Sequence, residues 1–451
     1  MNENIQAWFD QNSGKVIELS DAIWAKPEVA LKEQFACTET AAFLKAQGFD
    51  VKTFDVLTGK PSSEPNCIVA KWGAGPAVGF LGEYDALAGL GQGQKNCPAC
   101  APKDGPGHGC GHNLICGTSV GAAASLKAAL EKEKIPGTVI FYGCPAEETL
   151  AGKVWMAKHG LFEGLDIAFA WHAAPFALTV MEASMQASTN IFFSFHGKTA
   201  HAAANPDQGR SALDAAELMN VGVQYLREHI PDDSRIHYCY THAGEAPNIV
   251  PDFAELNYYI RARTRKIDDE LVTRVVDIAK GAALMTGTTM DYRVNSGCYE
   301  TFVCHSLNRL CRESALKVPE IVWDDADRNF AAALYKAAAG KDAEGELLCS
   351  GIPPLAGKVS SMTGSSDVAD VSHIVPTGII FGLGILKGLP FHHWSVVSTA
   401  GSDIGRKTEV YAGKVLAQCA FDLLKAPDSI KAVQKAFRES RKDMAPYKPV
   451  M

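Results

Sequence analysis

Four short segments carry residue types that bind metal ions or move protons. Gly107-His108-Gly109-Cys110-Gly111-His112-Asn113 opens a long Ala-rich stretch and offers a thiolate and an imidazole two residues apart. A glycine-rich helix entry around a buried cysteine fits the same residues, while glycines also let a backbone approach an ion closely. Cys144-Pro145-Ala146-Glu147-Glu148 follows an uncharged apolar run. Two adjacent carboxylates there need a compensating charge if buried. With a metal, one ligates the ion and the other serves water as general base. A solvated first helical turn, where acids favour the dipole, explains the pair equally. His172 follows Ile167-Ala168-Phe169-Ala170-Trp171, and His392-His393-Trp394 follows a Gly-rich apolar run. Each histidine taken singly fits a satisfied loop position as well as a ligand.

Taken together, Cys110, His112, Glu148, His172 and His392 make five ligands, enough for two divalent ions. A thiolate bridging them is chemically sensible, because coordination deprotonates a cysteine. Paired ions about 3.5–4 Å apart can hold a hydroxide and polarise a carbonyl. The expected reaction is therefore amide hydrolysis by metal-bound hydroxide, with Glu147 as general base. Asp85, in Gly82-Glu83-Tyr84-Asp85-Ala86-Leu87, is placed to orient a ligand histidine, and Asp367 has a similar supporting position. Loop capping and turn chemistry account for both aspartates too.

The ordered segments Glu-Tyr-Asp-Ala-Leu, Gly-Cys-Gly-His-Asn, Pro-Ala-Glu-Glu, Trp-His and a late His resemble the di-metal aminoacylase and carboxypeptidase superfamily of metallopeptidases. More narrowly, the chain is similar to the branch of indole-acetyl-amino-acid, hippurate and aminobenzoyl-glutamate hydrolases. That resemblance covers nearly the whole chain. It implies the five ligands above, with His392 preferred to His393, and Glu147 as base. It implies an inserted lid and dimerisation domain in which His201 donates to the scissile carbonyl oxygen. Asn248 would support that oxygen or the substrate backbone, and Arg261 would grip a substrate carboxylate. A surface strand charge explains Arg261 as well. The implied substrate is an N-acyl amino acid such as aminobenzoyl-glutamate, or a dipeptide. A homodimer or a heteromer with a related subunit is the implied assembly. The metals compatible with a mixed Cys, His and carboxylate shell are Zn²⁺, Mn²⁺ or Co²⁺.

The elements that must position these residues follow an α/β pattern. Helices are expected within 3–48, then strands at Cys67–Trp72 and Ala77–Leu81, a helix at His112–Lys134 and a strand at Thr138–Cys144. A helix at Leu150–His159 and a strand at Asp166–Trp171 come next. From Thr189 to Val294 the expected order is β-α-β-β-α-β, a ferredoxin-like split unit. It interrupts the first pattern, which resumes with a strand near Ile379–Leu383 and a helix at Thr408–Leu424. The expectation is a mixed-sheet α/β catalytic domain of residues 1–187 and 301–451, with residues 188–300 inserted.

Composition narrows the function classes. The 451 residues exceed one ordinary core, and 47% apolar with 21% charged residues is globular. Lys and Arg number 43 against 51 Asp and Glu, a net charge of −8, which disfavours nucleic acid and anionic membrane as partners. The first residues lack a basic and then apolar leader, and no run of about 18 apolar residues occurs. The 13 cysteines are scattered, so reduced thiols in the cytoplasm are expected. Cys97-Pro98-Ala99-Cys100 departs from the superfamily pattern and reads as an inert or substrate-facing loop, half a zinc site or a redox pair. Two rivals to hydrolysis remain: a metal-stabilised binder of amino acid conjugates, which would not need Glu147, and a structural or redox protein built on its cysteines.

Overall fold

The computed structural model describes residues 1–91, 96–98 and 104–451. Its strands, in chain order, are β1 (Asp50–Phe54), β2 (Cys67–Ala74), β3 (Ala77–Glu83), β4 (Gly137–Cys144), β5 (Ile167–Val180), β6 (Ala183–Met185), β7 (Ala187–His196), β8 (Arg235–His242), β9 (Phe253–Ala262), β10 (Thr289–Cys298), β11 (Ser360–Met362) and β12 (Thr377–Gly384). The first six helices are α1 (Glu3–Ala25), α2 (Gln34–Ala46), α3 (His112–Glu133), α4 (Gly152–Lys158), α5 (Ala212–Leu226) and α6 (Arg265–Thr286). The chain separates into two compact units. One comprises 1–183, 302–360 and 371–447; the other comprises 184–301, 361–370 and 448–451.

The first unit is built on a six-stranded mixed sheet of order β1-β2-β4-β3-β5-β12. β3 runs parallel to β4 and β5, and β12 runs parallel to β5, while β1 and β2 are antiparallel additions at one side. β3, β4 and β12 are buried along their whole length, as unbroken apolar strands of a covered parallel sheet must be. Helices α1, α3 and Asp403–Lys425 pack together in the same core. Small residues on α3 permit that approach: a Cβ on Gly121 would sit 3.0 Å from the Phe9 ring. The consequence for function is directional. All four parallel strands end on one edge, which is where open α/β sheets bind ligands.

The second unit has the order β7, α5, β8, β9, α6, β10, with an antiparallel sheet β10-β7-β9-β8. β9 alternates strictly. Ala254, Leu256, Tyr258, Ile260 and Ala262 are buried with the α5 and α6 side chains, leaving Asn257, Tyr259 and Arg261 on the other face. α5 starts at a Ser211 cap, and α6 starts at a Thr264 cap and stops at left-handed Gly287.

Several elements depart from expectation. β5 extends to Val180, well past Trp171, so His172 lies within the strand instead of after it. The expected helix at 150–159 is shortened to α4 at Gly152–Lys158 and preceded by a separate 3₁₀ turn at Glu147–Thr149, with Ala146 and Leu150 on either side of that turn both left-handed at φ 55°. Cys100 lies outside the described residues. Among the described residues eleven cysteines are free thiols, whereas Cys97 is disulfide-bonded, contrary to the expected reduced state. Among the described residues, no helix is long and apolar enough to cross a membrane.

Candidate metal centre

The expected metal donors all converge in the first unit. Glu148 comes from the turn after β4 and His172 from β5, beside Glu147 on the same turn and Glu83 and Asp85 at the end of β3. Cys110 and His112 stand at the entry to α3, where Gly111 caps the helix at φ 77°. His392 precedes the helix Trp394–Ala400 with its own backbone at φ 54°, and its N–H donates to Gly109 O at 3.1 Å. The glycines of this entry serve packing rather than approach to an ion. A Cβ at Gly107 would collide with the Leu90 carbonyl, and one at Gly109 with the Leu90 side chain.

The donor spacing suits metal coordination. Cys110 Sγ lies 3.3 Å from His172 Nε2. His112 Nε2 is 3.6 Å from Glu83 and 3.8 Å from both Glu147 and Glu148. The other Glu148 oxygen is 3.3 Å from His392 Nε2. Around one tetrahedral ion with bonds of about 2.0–2.3 Å, neighbouring donors stand roughly 3.3–3.8 Å apart. Cys110 belongs to two donor groups, one with His112 and His172 and one with Glu148 and His392. A thiolate shared in this way fits two ions.

Hydrogen bonding prepares the histidines. His112 Nδ1 meets Asp85 Oδ1 at 2.8 Å, and Asp85 Oδ2 accepts the Glu148 N–H at 2.9 Å. His172 Nδ1 donates to its neighbour's carbonyl, Ala173 O, at 2.7 Å and its ring stacks on Phe381. Each Nε2 is thereby left as the donor atom, the arrangement that orients metal-bound imidazoles. His393 is different: its Nδ1 accepts the Ser395 N–H and caps the following helix.

Buried polar atoms test whether ions fit here. His112 Nε2, Glu83 Oε2 and Glu148 Oε1 are buried without hydrogen-bond partners. Leaving such groups unsatisfied costs about 1–3 kcal/mol each, and more when charged. Divalent ions satisfy all three at once. Burial opposes charge on His112, but Asp85 beside it outweighs that and holds the imidazole well above its usual range. Burial likewise opposes ionisation of Glu83 and Asp85; Lys153 overrides it for Glu83 and His112 does so for Asp85, so both stay charged. Burial pushes the Cys110 thiol far up, so only a cation in contact would make it a thiolate at neutral pH.

Two residues here escaped the sequence reading. Glu83 ends β3 and its Oε1 pairs with the wholly buried Lys153 Nζ at 2.6 Å. Its signal was a charge closing an apolar strand two residues before Asp85. Glu33 is buried, and its Oε1 accepts the N–H groups of Leu31 and Ala146 at 2.9 and 2.8 Å. One oxygen thus fastens two left-handed residues, and Ala146 adjoins Glu147. Burial and the nearby Asp85 charge push the Glu33 carboxyl up to about 8. No local pattern marks that residue.

His201, Asn248 and Arg261 belong to the second unit. His201 is exposed; its Nδ1 accepts the N–H groups of Ala203 and Ala204 at 3.2 and 3.1 Å. The ring proton is therefore on Nε2, which makes a neutral donor. Asn248 is adjacent, its carbonyl accepting the Ala202 N–H at 3.1 Å. Arg261 is separate from both on β9, where Nη1 donates to Ser365 Oγ at 3.0 Å. Asp367 is buried in this unit, where its charge and that of Asp370 add to burial in raising the Cys298 thiol.

A parallel-stranded sheet edge carrying thiol, imidazole and carboxylate groups close enough to share a metal is the arrangement of a metal-dependent hydrolase of the metallopeptidase class. The model of Peptidase family M20/M25/M40 matches residues 79–413, and the chain belongs to this family. It is 33% identical to the B component of p-aminobenzoyl-glutamate hydrolase from Escherichia coli (strain K12), over 95% of this chain and 93% of that protein. It is 31% identical to the Xaa-Arg dipeptidase of Mus musculus, over 95% and 90%. Among solved structures, a dinuclear metal binding peptidase of the M20 family from Bacillus subtilis superposes with a TM-score of 0.61 at 18% identity, covering 92% of this chain and 99% of that one. An aminobenzoyl-glutamate utilization protein from Klebsiella pneumoniae gives 0.63 at 17%, covering 93% and 98%. The protein is a metal-dependent amide hydrolase.

Proposed function

We propose that the protein cleaves the amide bond between an acyl group and an acidic amino acid, as in aminobenzoyl-glutamate. The observation that carries the reading is the turn after β4. Glu148 faces two histidines, while the neighbouring Glu147 is buried within 3.8 Å of His112. Cys110, His112, Glu148, His172 and His392 would hold two divalent ions, Zn²⁺, Mn²⁺ or Co²⁺, which would supply Lewis acidity to water and the scissile carbonyl. Glu147 takes the water proton and returns it to the leaving nitrogen. Asp85 fixes His112. His201 donates through Nε2 to the carbonyl oxygen, Asn248 supports that oxygen or the substrate backbone, and Arg261 binds the substrate carboxylate.

The relatives also include a dipeptidase named for arginine, which is the second reading. Strand register argues for the acidic one. Arg235 stands directly opposite Arg261 across β8 and β9, and His237 opposite Tyr259 is the next residue on that face. Burial lowers the His237 pKa, and Arg261, Arg227 and Arg235 lower it further. Like charges facing each other across strands are unfavourable until an anion joins them. A cationic face of this kind attracts a dicarboxylate and repels an arginine side chain.

Residues 188–300 serve as lid and dimerisation domain in this reading. Leu218, Val221 and Tyr225 lie exposed along α5 at helical spacing, and β8 is a sheet edge with exposed Tyr238 and Tyr240. Both features suit pairing with a second copy. They also suit pairing with a related chain, since the relatives include two differently named components of one Escherichia coli hydrolase. The eleven free thiols support a cytoplasmic location. The test is a hydrolysis panel with metal varied and with chelator. Aminobenzoyl-glutamate should turn over at least tenfold faster, by kcat/KM, than aminobenzoyl-glycine or an Xaa-Arg dipeptide, and Arg235→Ala should shrink that preference. A preference for the Arg dipeptide would replace this reading with the second.

A further inference from the structure

The five-donor set leaves Glu83 unexplained. The residue is buried at the end of β3. Lys153 Nζ, also buried, fixes Oε1 at 2.6 Å, while Oε2 has no hydrogen-bond partner and stands 3.6 Å from His112 Nε2. Glu83, His112 and Glu147 form a third group whose ligand atoms all lie within 4.8 Å of one another. A carboxylate present only to neutralise a buried lysine would not keep its second oxygen unsatisfied and turned toward an imidazole donor atom.

Charge balance points the same way. Cys110 as thiolate, Glu147, Glu148, Asp85 and Glu83 carry five negative charges in this nest. Lys153 and two divalent ions carry five positive ones. Without the Glu83 charge, four negative charges would face five positive ones, an expensive imbalance in a dry site.

We propose that Glu83 is a sixth metal donor, binding through Oε2 the ion held by His112, with Lys153 restraining Oε1 so that one oxygen coordinates. This rests on the reading of His112 as a ligand. The two ions then differ in kind: one has an additional anionic oxygen ligand and binds more tightly.

Titration of the metal-free full chain with Co²⁺, followed by calorimetry and visible absorption, tests the assignment. Glu83→Gln should weaken one of the two binding steps about tenfold or more, leave the other within threefold, and alter the Co²⁺ spectrum. Because that variant removes the charge paired with Lys153, the double variant Glu83→Gln with Lys153→Met is measured alongside. If Glu83 is a ligand, the double variant recovers folding stability but not the lost affinity. Recovery of both affinities to wild-type values in the double variant would overturn the proposal, leaving Glu83 only as the partner of lysine. Unchanged affinities and spectrum in a folded Glu83→Gln would overturn it too. His112→Ala in parallel separates the two levels. Metal loss there without loss in Glu83→Gln defeats only the sixth donor, whereas no loss in either defeats the underlying metal reading as well.

Discussion

The proposed donor nest of the first unit and the residues of the second proposed to meet substrate satisfy their polar atoms in opposite ways. In the nest, His112, Glu83 and Glu148 are buried with atoms that no protein group meets. In the second unit, His201 and Asn248 are exposed, and Arg261 already has Ser365. The nest's geometry is enforced by Asp85, Ala173 and the turn held by Glu33, as the proposed ions would require. His201 is organised only as far as its tautomer. Burial makes the first region sensitive to any loss of charge, while exposure makes the second region's contribution depend on a bound substrate.

The sharpest way to break this contrast is at Glu147. Glu147→Gln is expected to keep both ions and lose about 10²–10⁴-fold in kcat. Glu148→Ala, one residue away, should lose metal. Metal analysis beside single-substrate kinetics checks both, and a Glu147→Gln enzyme with wild-type kcat would end the assignment. His201→Ala comes next, with an expected fall of about 10²–10³-fold in kcat and unchanged metal content. If His201 serves a neighbouring protomer, mixing His201→Ala with Glu147→Gln restores activity once protomers exchange. Verified exchange without recovery would place it in its own protomer's site, and full activity of the single variant would remove it from catalysis.

The smallest effect sharpens the comparison from a buried carboxyl away from the ions. Burial holds Glu409 well above the usual carboxylate range, with Ser20 partly opposing. The unfolded chain ionises this group near pH 4.5, while the folded chain keeps the proton. Stability therefore falls as pH rises from about 4.5 toward the raised folded value. Glu409→Gln escapes that loss, so its melting temperature relative to wild type should climb by about 1–2 °C or more between pH 5 and 8. A difference that does not change with pH would mean the carboxyl is not held neutral.

Much of the nest was legible because its residues sit where local patterns break. Glu147 and Glu148 follow an uncharged strand, and Cys110 and His112 follow glycines. The same logic located the β-α-β-β-α-β order, whose strands alternate or bury continuously. Glu83 was hidden because a single acid at a strand end looks like solvent exposure, and only its pairing with Lys153, distant in sequence, reveals burial. Glu33 was hidden because its role is to hold backbone N–H groups at Leu31 and Ala146, which no side-chain pattern encodes. The left-handed breaks at Ala146 and Leu150 were invisible for a related reason: alanine and leucine are good helix formers, and tertiary contacts override that preference.

The dispersal of the donors along the chain has a consequence for biosynthesis. Cys110, His112, Glu148 and His172 leave the ribosome early, and His392 follows only after the second unit's residues 184–301 have been made. At about 5–20 residues per second the nascent chain spends tens of seconds with an incomplete, thiol-bearing donor set. β12, which completes the parallel edge beside β5, is also a late arrival. During that interval a soft ion can be captured by Cys110 and its neighbouring imidazoles before His392 completes the proposed set. Cellular metal selection for this protein would then be decided partly by which ion is available while translation is still under way.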